Sequence, residues 1–102
     1  MDKELLTDKL PENWIMLTEE EVKKFTDELV FEICDTHELF GKNLTALARR
    51  WRRDDFLFAS LDAPDGAYVV HLTWRKETDP YWPAVLSFKS VADFCENWSV
   101  EF

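Results

Sequence analysis

Residues Ala67 to Trp74, Ala-Tyr-Val-Val-His-Leu-Thr-Trp, carry β-branched and aromatic side chains at most positions. Extended backbone sends successive side chains to opposite faces, so Tyr68, Val70, Leu72 and Trp74 form one row and Val69, His71 and Thr73 the other. Both rows are apolar enough to call for at least half burial, and such a strand has to lie inside a sheet rather than stand alone.

The neighbouring segments supply that sheet. Phe56 to Leu61 is rich in strand formers and runs into the breaker Asp62-Ala-Pro-Asp-Gly66, whose Asp-Gly pair suits a hairpin. Arg75 to Pro83 reads as a loop, because Asp79-Pro80 and Trp82-Pro83 both disfavour helix before the proline, and a short strand is expected from Ala84 to Phe88. Leu44 to Trp51 carries two patterns: its residue types favour helix, yet Leu44, Ala46 and Ala48 alternate with Thr45, Leu47 and Arg49. Strand is the preferred reading, with Asp54-Asp55 as the turn that follows.

Helices are announced by their caps. Thr18-Glu-Glu-Glu21 has the spacing of a capping box, which starts a helix at Glu19, and Val22, Phe25, Leu29, Val30 and Ile33 give it an apolar stripe as far as Asp35. Glu20, Lys24, Asp27, Glu28 and Glu32 fall on its other side. Ser90-Val-Ala-Asp93 repeats the signature ahead of Val91, Phe94, Cys95 and Trp98. The expected fold is α+β and two-layer: an N-terminal amphipathic helix, a small antiparallel β-meander and a short C-terminal helix, with the helices packed on one face of the sheet. Residues 1–102 read as a single domain, in which 1–17 form an N-terminal arm or short helix leading into the core.

Composition narrows function. Twenty-one acids against 12 bases give a net charge of −9, and 11 of those acids fall in residues 1–36. That charge repels phosphate backbones over most of the surface, so general nucleic-acid binding is not expected. No run is long and apolar enough for a signal peptide or a membrane span, and Cys34 and Cys95 stand far apart without metal-ligand spacing; a cytoplasmic chain with free thiols, no cofactor and no metal is the expectation.

Few residues are candidates for chemistry. A pocket reading needs His71 and His37, the only histidines, to meet carboxylates such as Asp54 and Asp55, with Arg50 from the basic island Arg49-Arg50-Trp51-Arg52-Arg53 nearby. Against it, His71 reads as a sheet histidine satisfied by a neighbour, His37 as an imidazolium at the helix C-terminus, and the arginines as bidentate partners of Asp54-Asp55 and of the acidic helix. Nucleophile motifs and glycine-rich phosphate loops are missing. Trp74, Tyr81, Trp82 and Trp98 are the alternative kind of candidate, because two of them, Tyr81 and Trp82, lie on a loop with Pro80 and Pro83, where large rings are hard to bury and suit a contact surface.

Taken in order, His37-Glu-Leu-Phe-Gly41, Ala48-Arg-Arg50, Asp54-Asp55-Phe-Leu-Phe58, Val70-His-Leu-Thr-Trp74, Trp82-Pro83 and Phe88-Lys-Ser90 resemble a group of small bacterial proteins of no established function. The resemblance spans His37 to Trp98. It implies a bacterial origin and a shared fold, and brings no activity and no site residues.

Two functional classes remain. The leading one is a small acidic protein-binding module, most concretely an immunity-type protein that neutralises a toxin, using Trp82, Tyr81 and Trp74 as anchors and Glu28 and Glu32 on an acidic outer face. The other is a small enzyme or ligand-binding domain with a pocket of His71, His37, Asp54, Asp55 and Arg50. Pairing of two copies through an open edge of the meander is a third expectation.

Overall fold

The computed structural model describes residues 10–62 and 66–98. Within them the elements run β1 (Trp14–Met16), α1 (Glu19–Glu32), β2 (Leu44–Arg50), β3 (Asp55–Ser60), β4 (Ala67–His71), β5 (Ala84–Phe88) and α2 (Val91–Asn97). The five strands form one antiparallel sheet in the order β1-β2-β3-β4-β5, a meander between two helices, and the class is α+β as the periodicities predict. Of the expected N-terminal arm, residues 1–9 lie outside the described residues, and Trp14 to Met16 form an edge strand that the short apolar run did not announce.

Both capping signatures do what their chemistry requires. The Thr18 hydroxyl accepts from the Glu21 amide at 3.2 Å and the Glu21 carboxylate accepts from the Thr18 amide at 3.0 Å, which satisfies two first-turn donors reciprocally. That backbone contact also holds Glu21 below the ordinary carboxylate range. Ser90 caps α2 through the Asp93 amide.

The meander is buried on both sides. Phe56, Phe58 and Val70 pack with Phe25 and Leu29 of α1 and with Ile33 just past its end, whereas Leu57, Ala59, Ala67 and Val69 pack with Val91 and Phe94 of α2. The two helices therefore cover opposite faces, where the sequence reading had them share one. The two-row pattern of Ala67 to Trp74 already carried this: Tyr68, Val70 and Leu72 meet α1, and Val69 meets α2. On the α2 side Trp14, Phe94 and Trp98 form a ring cluster with edge-on centroid distances of 5.1 and 5.2 Å about Trp14.

A bulge in β2 sets which arginine goes where. Ala46 lies opposite Phe58 and Ala48 opposite Leu57, so Leu47 is an extra residue on β2 and the facing of the strand reverses after it. Ala48 and Arg50 consequently face α2 rather than sharing a side with Leu44 and Ala46. Arg49 faces α1, with its guanidinium 5.6 Å from the Phe25 ring and 5.3 Å from the Phe56 ring.

Three further boundaries differ from expectation, each for a local reason. The turn after β2 is Trp51 to Asp54, and Asp55 already belongs to β3. α1 ends at Glu32, because Ile33 turns to extended backbone at ψ 137°. β4 ends at His71, because Trp74 adopts a left-handed φ of 62° and its amide leaves the ladder for a side chain of α1.

Candidate functional site

Three groups of polar and aromatic residues stand out, and they are spatially distinct. The first is the loop before β5. Asp79 organises it: its side chain accepts from the Tyr81 amide at 2.9 Å and its carbonyl from the Trp82 amide at 3.0 Å. Pro83, which follows a cis Trp82–Pro83 bond, is fully buried, and its carbonyl accepts from His37 Nε2 at 2.9 Å. The backbone is thus held on either side of two rings that point outward: Tyr81 is 81% exposed and Trp82 46%.

His37 is part of this support. Its Nδ1 accepts from the Leu39 amide at 3.0 Å, so that nitrogen carries no proton and Nε2 is the donor to Pro83. The ring is buried and both its nitrogens are engaged away from α1, which corrects the reading of His37 as a cap on that helix. α1 has ended five residues earlier, and neither ring nitrogen is left for a substrate.

The second group joins α1 to the end of β4. Glu32 is fully buried, and its carboxylate accepts from the Thr73 amide at 2.8 Å, the Thr73 hydroxyl at 3.0 Å and the Trp74 amide at 2.8 Å. It is a structural latch rather than part of an acidic outer face. Trp74 correspondingly lies over the core, its ring edge-on to Phe25 at 5.9 Å and to Phe56 at 5.8 Å, and among the described residues it makes no ring pair with Tyr81 or Trp82. Val30, expected in the apolar stripe, is exposed together with Phe31, because α1 is rotated to turn Glu32 inward.

Glu28 sits one turn before Glu32 and is half-buried. A hydrogen bond to the Glu32 carboxyl, partial burial and the Glu32 charge together push it up to about 7. A carboxyl raised in the folded state stabilises fully below its unfolded value near 4.5, and that contribution disappears as pH rises through about 7. The predicted loss between pH 5 and 8 is about 1–2 kcal/mol after allowance for solvent screening. Glu28→Gln, which keeps a hydrogen-bond donor toward Glu32 without titrating, should abolish that part of the slope; urea unfolding of both proteins at the two pH values measures it, and parallel slopes would contradict it.

The third group faces α2. Asp55 is buried between Arg50 Nη1 at 3.1 Å and His71 Nδ1 at 2.7 Å. Asp55 and His71 are cross-strand partners, and the bulge in β2 is what brings Arg50 to the same side. The arginine–aspartate pairing is the structural one anticipated, through one nitrogen instead of two, while the guanidinium lies 5.4 Å from the Trp98 ring. Asp54 does not join: its carbonyl accepts from the Leu72 amide as the last rung between β3 and β4.

The residues of the expected pocket therefore separate. Arg50, Asp55 and His71 meet, and no hydrogen bond connects His37 or Asp54 with them. Among the described residues no group of three or more His, Cys, Asp or Glu is placed to hold a metal ion, and no helix is long and apolar enough to cross a membrane. The role of Glu32 was missed in the sequence because a glutamate at a polar helical position carries no mark of burial.

No protein-family model, no curated protein and no solved structure matches the chain.

Proposed function

We propose that this protein is a binding module for another protein, with Tyr81 and Trp82 as the anchors of its contact surface. The observation that carries the reading is the combination of two exposed rings with a backbone fixed by Asp79, His37 and the buried Pro83. Large rings held in place before contact lose little freedom on binding, and such residues dominate interface energetics. The net charge of −9 favours a basic partner by steering association, and a toxin that itself binds nucleic acid is the most concrete instance of such chemistry.

The acids that serve this purpose are those at the surface. Glu19, Glu20 and Asp27 on α1, Glu38 and Asp79 are exposed, whereas Glu32 is spent inside the fold. An enzymatic reading keeps one observation in its favour: Asp55 orients an imidazole whose side chain is 46% exposed. It lacks a nucleophile, since Asp55 is the sole hydrogen-bond partner of that ring among the described residues.

Affinity purification from the native host, with the wild-type chain and a Tyr81→Ala/Trp82→Ala variant as paired baits, identifies the partner and tests the surface together. Calorimetry on the purified partner should show Kd raised at least ~100-fold in the double variant, as for loss of two anchor rings. A partner bound equally by both baits removes Tyr81 and Trp82 from the interface; retained binding to a partner without basic character removes the electrostatic half of the proposal.

A further inference from the structure

We infer that β5 is a self-complementary edge through which two copies of this chain pair, joining their sheets into one. The starting point is the alternation of an antiparallel ladder, in which every second residue turns its amide and carbonyl toward a given neighbour. Ser60 N–H bonds to Gly66 O and Leu72 N–H to Asp54 O, both at 2.9 Å, so the even-numbered residues from Gly66 to Leu72 are engaged with β3. Ala67, Val69 and His71 consequently face β5, where they lie opposite Phe88, Leu86 and Ala84. The backbone groups of Val85 and Ser87 point away from the sheet.

Neither position flanking those two has an amide to offer. Pro83 has no amide proton and its carbonyl is taken by His37, while the Lys89 amide donates to Asp93 at 2.9 Å. Between them, the two donors and two acceptors of Val85 and Ser87 have no hydrogen-bond partner among the described residues. A twofold axis through Leu86 sets Val85 of each copy opposite Ser87 of the other and satisfies all four groups at once. Leu86, exposed on this edge, then meets its own counterpart at the non-hydrogen-bonded position, where side chains approach most closely.

The two edges of the sheet are managed differently. β1 is three residues long and the Trp14 amide is occupied by the Pro11 carbonyl, so it offers little to a further strand. β5 has five residues, Ala-Val-Leu-Ser-Phe, with no charge, no proline and no bulge to discourage pairing. The charge of −9 on each copy opposes association at long range, so pairing should tighten with salt.

Sedimentation equilibrium of the full chain should give a mass approaching twice 12.1 kDa, with the dimer favoured on going from ~0.05 to ~0.5 M salt. Ser87→Pro removes an outward donor without touching the ladder to β4, and Leu86→Lys sets two ammonium groups face to face; each should raise the dissociation constant at least tenfold, with circular dichroism showing the fold retained. In a Cys34→Ser/Cys95→Ser background, Leu86→Cys should form a covalent dimer on mild oxidation and Ile15→Cys, on β1, should not. A chain that stays monomeric throughout, a dimer indifferent to both β5 substitutions, or crosslinking equal at the two edges would each overturn the pairing.

Discussion

Replacing Glu32 with alanine should lower the unfolding free energy by about 3–5 kcal/mol, the range expected when a buried, hydrogen-bonded carboxylate is removed from its partners. The carboxylate accepts from two backbone amides and one hydroxyl, on Thr73 and Trp74, and the alanine variant leaves those amides inside the protein without a replacement. A domain of this size is stable by roughly 5–15 kcal/mol, so the loss is a large share of the total. Glu32→Gln should fall between the two, because an amide accepts through one oxygen and presents a donor to the other site. Urea unfolding with an unchanged m-value measures the difference, and Trp74 fluorescence should report release of its ring from Phe25 and Phe56. The same substitution should flatten the pH dependence of Glu28, which owes its shift first to Glu32. A change below about 1 kcal/mol would mean that the amides find water or another acceptor, and that the latch is not what ends β4.

Local signals proved legible where a residue type has one dominant use. Thr18 and Ser90 mark their helices because a hydroxyl at those positions has a free amide to meet, and the residues from Ala67 to Val70, with Leu72, sort onto the two faces as their alternation requires. The errors arose where the outcome is decided by a partner distant in sequence. Nothing in Leu44 to Arg50 shows that Leu47 is an extra residue; that follows from its pairing with β3, and it reverses the facing of both arginines. Glu32 reads as surface until Thr73 and Trp74, 41 and 42 residues away, supply its donors. His37 reads as a helix cap until the Pro83 carbonyl, 46 residues on, accepts a hydrogen bond from its Nε2. Tyr81 and Trp82 are exposed, as the prolines beside them lead one to expect, whereas Trp74, 45% exposed itself, lies edge-on against Phe25 and Phe56, which no spacing foretells.

Among Arg50, Asp55 and His71 the effects of removal should be steeply unequal, and the ranking separates a scaffold from a reactive site. Arg50 and Asp55 are both nearly enclosed, with side chains 11% and 4% exposed, whereas the His71 side chain is 46% exposed. Asp55→Leu strands a guanidinium in the interior beside Trp98 and should cost about 3–5 kcal/mol. Arg50→Met should cost less, because Asp55 keeps the His71 hydrogen bond, and Arg50→Met/Asp55→Leu should recover most of the loss, since apolar residues of similar volume replace a buried pair without an orphaned charge. The coupling between the two positions is expected at about 1–3 kcal/mol in a double-mutant cycle. His71→Ala should change stability by less than about 1 kcal/mol, because its own side chain is half exposed and Asp55 keeps the Arg50 pairing. Denaturant unfolding of the four variants gives the order directly. If His71→Ala proves as damaging as Asp55→Leu, the imidazole is a structural member of the trio; if it is neutral for stability while abolishing a measurable turnover, the half-exposed imidazole is a reactive group and the binding-module proposal gives way to catalysis.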